Sequence, residues 1–496
     1  MDKNISKELL AARKMEMELS ESILNGERPV YHVASPLGWI NDPNGFSVFQ
    51  NEYHLFFQYY PYETKWGPMH WGHCKSKDLI SWEYLPAAMA PDAEWDQGGC
   101  YSGSALEADG EHILIYTGVI DKKLEDGSKY YRQVQCMAKG DGLNYEKWEQ
   151  NPIIAQDKLP EGSSLEDFRD PKIWKEEDGY YLIAGSRSAD GSGQILMYRS
   201  DDLKSWDFVT ILDSCRNEYG KMWECPDFFP LGDHHILIVS PQDMRAKGLD
   251  FHNGNNSLFL YGRYDHQTHH FEREKVTSAD YGLDFYAPQT MLAPDGRRIM
   301  IGWMQSWDAK ITPSSFKWAG MMTVPRELVL KDGKIYQKPV RELEQYRVNP
   351  VTYQNQMILA PTKLDGISGR VLDLELEITG SDFEQFSICF AANKEYHTEL
   401  CYDRNKKTLT IDRTDCGLVR DAVCTRSMEV QPDTAGTEQL KLRILLDRYS
   451  AEIFVNDGEK TMSNAFYTPM EADQIIFDAN GSACVNIRKY DIQVSR

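Results

Sequence analysis

One pattern constrains this chain more than any other: a polar lead-in followed by a compact apolar run recurs five times, at Glu52–Phe57, Glu111–Tyr116, Gly179–Ala184, His234–Val239 and Arg297–Gly302. Aligned on Leu55, Leu114, Leu182, Leu237 and Met300, the copies lie 59, 68, 55 and 63 residues apart. A unit of that length holds several short strands. One such small sheet cannot bury its own apolar faces and must stack on copies of itself. A second echo runs in step with the first: Ser76-Lys77-Asp78-Leu79-Ile80-Ser81-Trp82 returns at Ser200–Trp206, with a looser version at Asp141–Trp148. Five stacked units predict a five-bladed β-propeller, in which the starts of the innermost strands point into a central funnel. Trp82, Trp148 and Trp206 are expected to pack between strands, not to bind ligand.

The pattern stops near Arg341–Tyr346. Beyond it come alternating strands separated by Asn, Asp and Gly turns, such as Arg370–Ile378, Leu440–Leu446 and Gln474–Phe477, which read as a β-sandwich. Ahead of the propeller, Ile5, Leu9, Ala12, Leu19 and Ile23 fall near helical spacing over about Lys3 to Leu24, with Gly26 suited to end the helix. The expected fold is therefore all-β with a short N-terminal helix: a helical arm over 1–28, a propeller over 29–345 and a sandwich over 346–496. The helix is expected to pack on its own propeller, and the sequence leaves the oligomeric state open. A chain of 496 residues exceeds the ~250–300 at which single cores stop growing, as this division requires.

Charge narrows the partners. A formal net charge of −22 would be repelled by nucleic acid and by anionic membrane surfaces. The opening residues alternate charge with apolar side chains, so neither a signal peptide nor a membrane span is expected, and the cytosol is the expected location. Ten cysteines without paired spacing read as isolated reduced thiols, with no metal site and no cofactor.

About a dozen residues upstream of each repeated run, the chain should enter the funnel. Those positions carry Asp42-Pro43-Asn44-Gly45, Ser102-Gly103, Asp170-Pro171, Glu224-Cys225-Pro226 and Ala287-Pro288, so three of five equivalent sites hold carboxylates. Each motif taken alone is a credible turn. Acids converging on one axis repel one another, however, and independent turns have no reason to gather them there. Two carboxylates suffice for glycoside hydrolysis, and a third could grip sugar hydroxyls.

These residues also resemble a known family. The run from His32 through Trp39-Ile40-Asn41-Asp42-Pro43-Asn44-Gly45, the triplet Arg169-Asp170-Pro171, and Trp223-Glu224-Cys225-Pro226-Asp227 are similar to the three signatures of glycoside hydrolase family 32. That family comprises invertases, sucrose-6-phosphate hydrolases, inulinases and levanases. The resemblance covers about Tyr31 to Arg496, and Asp447–Glu459 is similar to the family's C-terminal signature. It implies hydrolysis of a terminal β-D-fructofuranosyl residue with retention, from sucrose, sucrose 6-phosphate or short fructo-oligosaccharides. By resemblance Asp42 is the nucleophile, Glu224 the acid/base, and Asp170, helped by Arg169, the holder of the fructosyl ring. Asn41, Gln58, Trp66, Tyr101, Ser102, Tyr286 and Trp303 match pocket positions.

A double displacement would need Asp42 and Glu224 about 5–5.5 Å apart, against about 6.5–9.5 Å for inversion. Two other readings stay open: an inverting propeller glycosidase acting on arabinose-containing chains, and a non-catalytic carbohydrate-binding protein. Transfructosylation is expected only as a side reaction. The aglycone side is unread, since Lys65, Arg187 and Lys317 are all candidate phosphate ligands.

Overall fold

The computed structural model describes residues 5–24, 28–417, 422–432 and 439–494. Each repeated run forms the second strand of a small antiparallel sheet, at Glu52–Tyr60, Glu111–Lys123, Gly179–Arg187, His234–Pro241 and Arg298–Trp303. The strand preceding each one is innermost: Gly38–Phe49, Gly99–Ala108, Phe168–Glu176, Trp223–Leu231 and Tyr286–Leu292. Consecutive innermost strands touch, and the fifth touches the first, closing a five-bladed ring. The ring is also fastened through the backbone. After Trp303 the chain leaves blade 5 and pairs Trp318–Ala319 in parallel with Gly38–Trp39 of blade 1. It then returns to give blade 5 its last two strands, Arg326–Lys331 and Lys334–Pro339.

The core lies between blades. Phe168, Leu182, Leu196 and Tyr198 of blade 3 pack with Ile113 and Ile115 of blade 2. Ile183 and Met197 on the opposite face meet Leu237, Val239 and Leu260 of blade 4. Both faces of a blade are therefore apolar, and each fully buried side chain of this kind contributes roughly 1.5–3 kcal/mol only while its neighbours are present. The Ser-x-Asp-Leu-x-Ser-Trp echo is the turn into the fourth strand of blades 1 and 3. Asp202 Oδ1 accepts the amides of Lys204 and Ser205, both at 2.8 Å, and Trp206 Nε1 donates to the Leu203 carbonyl at 3.0 Å. Asp78 and Trp82 repeat this geometry in blade 1.

The helix spans Lys7–Leu24, with the Ser6 hydroxyl capping the Leu9 amide at 3.1 Å. Its expected start at Lys3 and its end at Gly26 lie outside the described residues. Leu9, Ala12 and Ile23 are buried as the spacing predicts, but Leu19 is exposed. Glu16 takes part of that face instead, accepting the Ala87 amide at 3.0 Å. Burial raises its carboxyl to about 7.

Behind the propeller, Arg347–Ile358 opens the sandwich. Two long strands, Val371–Ala392 and Gln474–Ile492, pair along their length and pass through both layers, with bulges between Thr379 and Gln385 where they bend. The seam between the domains is charged. His32 lies between Asp447 (2.9 Å) and Glu452 (2.8 Å), and Arg326 joins Glu452 (2.5 Å) to Asp280 (3.0 Å), all with side chains fully removed from solvent.

Candidate active site

Every innermost strand breaks register at the same place in its blade, after Ile40, Tyr101, Arg169, Glu224 and Tyr286, and that of blade 1 breaks again after Asn44. A bulge inserts a residue, kinks the strand and re-aims the side chain beside it. In blades 1, 3, 4 and 5 a proline (Pro43, Pro171, Pro226, Pro288) explains the location, because a residue without an N–H is tolerated in a sheet only at such breaks or at edges. Asp170, Cys225 and Ala287, each before a proline, hold φ of 65°, 46° and 51°. Left-handed backbone at non-glycine residues is strained and persists only where surrounding structure enforces it. The strain here is repeated in three blades around one axis.

The bulges bring Asp42, Asp170 and Glu224 to a single cavity of about 320 Å³ at the propeller axis, together with Asn41, Gln58, Trp66, Tyr101, Ser102 and Arg169. Asp42 Oδ2 accepts a 2.6 Å hydrogen bond from Ser102, while Oδ1 is buried with no partner among the described residues. Burial first, then the nearby Glu224, pushes the Asp42 carboxyl up, against the hydrogen bonds from Ser102 and Asn41. Asp170 Oδ2 accepts the Cys225 amide at 2.9 Å, and the Cys225 thiol lies 3.6 Å from both Asp42 Oδ2 and Asp170 Oδ2. Burial and Glu224 raise the Asp170 carboxyl to about 7, with Arg169 opposing them.

Glu224 is held on both oxygens. Arg169 Nε donates to Oε1 at 3.0 Å, and Tyr286 and Gln242 donate to Oε2 at 2.7 and 2.9 Å. A carboxyl gripped this way is fixed in orientation. Tyr286 thus acts from behind Glu224 and is itself fully buried.

Trp303 departs from expectation. It has no exposed surface and packs edge-on to Trp39 and Trp307, at centroid distances of 5.8 and 5.0 Å; Trp307 is the indole that lines the cavity. The strand's end at Trp303 turns its side chain into the core, and the following loop carries Trp307 to the mouth. Sequence reading also missed Tyr131, Gln133, Glu166, Asp167 and Gln242. Tyr131 and Gln133 come from the third strand of blade 2, where nothing in the repeat marks them. Gln242 had a faint signal, being the first polar side chain after the apolar second strand of blade 4.

Two motif residues serve the scaffold. Lys172, just past Asp170-Pro171, pairs with Asp227 at 3.0 Å and donates to the Thr290 carbonyl at 2.5 Å, so blades 3, 4 and 5 are tied directly behind the bulges. His73 stacks on Phe56 and Lys75 pairs with Glu52, both away from the cavity.

A propeller whose strained inner strands deliver three acids, one of them clamped on both oxygens, to a sugar-sized cavity has the makings of a glycosidase. Residues 32–339 match the Glycosyl hydrolases family 32 N-terminal domain, and residues 342–493 match the Glycosyl hydrolases family 32 C-terminal domain. The chain belongs to glycosyl hydrolase family 32. Among relatives, the raffinose invertase of Escherichia coli is 39% identical over 92% of this chain and 93% of its own length. A sucrose-6-phosphate hydrolase of the same organism is 38% identical over 96% of this chain and 97% of its own. A solved family 32 β-fructofuranosidase variant from Bombyx mori, in complex with sucrose, superimposes with a TM-score of 0.84 at 32% identity and 98% coverage of each chain.

Proposed function

We propose that this chain is a retaining β-fructofuranosidase that removes the terminal fructosyl unit from sucrose or a sucrose derivative. Asp42 attacks the anomeric carbon. Glu224 protonates the departing glycosidic oxygen and then deprotonates the water that releases fructose. Asp170 accepts hydrogen bonds from fructosyl hydroxyls, and Asn41, Gln58, Trp66, Tyr101 and Ser102 complete the wall. Catalysis is assigned to the propeller, residues 29–345; the arm, 1–28, and the sandwich, 346–496, support it. The reading is carried by one observation: recurrent bulges bring Asp42 and Glu224 into the same chamber with opposite degrees of restraint. All ten cysteines are free, which supports a reducing compartment such as the cytosol.

The test is methanolysis. With sucrose as donor and methanol as acceptor, a covalent fructosyl intermediate yields methyl β-D-fructofuranoside, and Asp42→Asn abolishes both this product and free fructose. Formation of the α-anomer alone would make the enzyme inverting. Sugar binding with no product would make it a binding protein.

A further inference from the structure

We infer that the aglycone side of this pocket selects neutral sugars, so that sucrose and sucrose extended by a neutral sugar are substrates and sucrose 6-phosphate is a poor one. This deepens the fructosidase reading and rests on it. Among the described residues, the chamber is lined by Asp42, Asp170, Glu224, Glu166 and Asp167, against one cation, Arg169. That cation is held on two of its three nitrogens: Nε donates to Glu224 at 3.0 Å, and Nη1 donates to Asp167 at 2.9 Å and to Gln133 at 3.3 Å. Arg187, the next guanidinium outward, donates to the other oxygen of Asp167 at 3.1 Å. Lys65 pairs with Glu63 at 2.7 Å, and Lys317 is exposed and outside the lining.

A phosphate needs a forked guanidinium, an ammonium or a helix N-terminus facing it. The helix Lys7–Leu24 packs on the outer strand of blade 1 and lines no part of the chamber. Even with Glu224 and Asp170 left out of the count, Asp42, Glu166 and Asp167 outweigh Arg169. The rest of the lining is uncharged, polar amides and Ser102 together with Trp66, Tyr101, Tyr131 and Trp307, and aromatic side chains suit the C–H surface of a neutral sugar ring. A formal charge of −22 repels a phosphorylated substrate before it arrives.

Raffinose separates charge from bulk, because it carries a neutral hexose on the glucose oxygen that bears the phosphate in sucrose 6-phosphate. We would measure kcat/KM of the full chain on sucrose, raffinose and sucrose 6-phosphate at low and at high salt. Raffinose should fall within about tenfold of sucrose, and sucrose 6-phosphate about 100-fold below raffinose, with salt narrowing that gap. Glu166→Lys, at an exposed rim position, should narrow it by about tenfold, through KM. The inference falls if the phosphorylated sugar is cleaved as well as raffinose, if both derivatives are equally slow, or if neither salt nor Glu166→Lys changes the gap. Cleavage of none of the three would instead overturn the fructosidase reading.

Discussion

Asp42 and Glu224 are both acids in one chamber, and their neighbours separate their roles. Glu224 has donors on both oxygens from Arg169, Tyr286 and Gln242, whereas Asp42 receives the Ser102 hydroxyl and the Cys225 thiol on one oxygen, Oδ2. General acid catalysis is typically worth 10²–10⁴-fold, so Glu224→Gln should lower kcat on sucrose by about that factor. Its KM should change little, because the amide keeps the shape of the site. Ser102→Ala tests Asp42 through pH. The serine holds the Asp42 carboxyl down against burial, so removing it raises that carboxyl further. Attack requires the ionised form, and the acid limb of the kcat/KM profile should therefore move to higher pH, by about one unit. An unmoved limb would show that another group sets it.

Elements explain why these residues could be found by reading and others could not. The second strand of every blade is a short, uninterrupted apolar run, because it is covered on both faces. That makes the repeat visible and, with it, the positions of Asp42, Asp170 and Glu224 upstream. The bulges themselves leave only a trace in sequence, a proline beside each acid, since a register break is a relation between two strands. Trp303 and Trp307 show the cost of this. Both are tryptophans near the mouth, and only the path of the loop after Trp303 decides which one reaches the cavity. The turn echo, by contrast, is purely structural. Asp202→Ala removes an acceptor from two backbone amides and should cost about 1–2 kcal/mol, read as a Tm lowered by a few degrees with kcat unchanged. A loss of activity at unchanged Tm would contradict that assignment.

At the scale of the whole molecule, propeller and sandwich are joined by buried charge. His32, between Asp447 and Glu452, is desolvated, yet hydrogen bonds to both carboxylates raise it to about 9 from an ordinary 6.5. The folded state therefore holds this proton more tightly than the unfolded chain. The stability it provides is complete below about pH 6.5 and is lost as pH rises to about 9. Thermal unfolding followed across that window should show Tm falling in the native protein. In His32→Gln the decline should flatten, from a starting point lowered by about 3–5 kcal/mol because Asp447 is left buried without its cation, while Glu452 keeps Arg326. On the acid side the blade 1–2 interface acts in the opposite sense. Burial lowers His54 to about 4 and His112 to about 3, so their contribution is complete above about 6.5 and is lost as pH falls towards those values.

The amino-acid sequence by itself determined the five-fold repeat, the change to a sandwich, the helix at the start and the three acids, because each is written in local period or in recurrence at a fixed offset. Only the tertiary structure decided that Ser102 holds Asp42, that Gln242 and Tyr286 clamp Glu224, that Trp307 and not Trp303 lines the cavity, and that His32 bridges two domains. These are contacts between residues far apart in the chain, such as Asp42 with Ser102 or His32 with Asp447. Their partners are set by how the blades close into a ring and where the sandwich docks, and no local pattern encodes that.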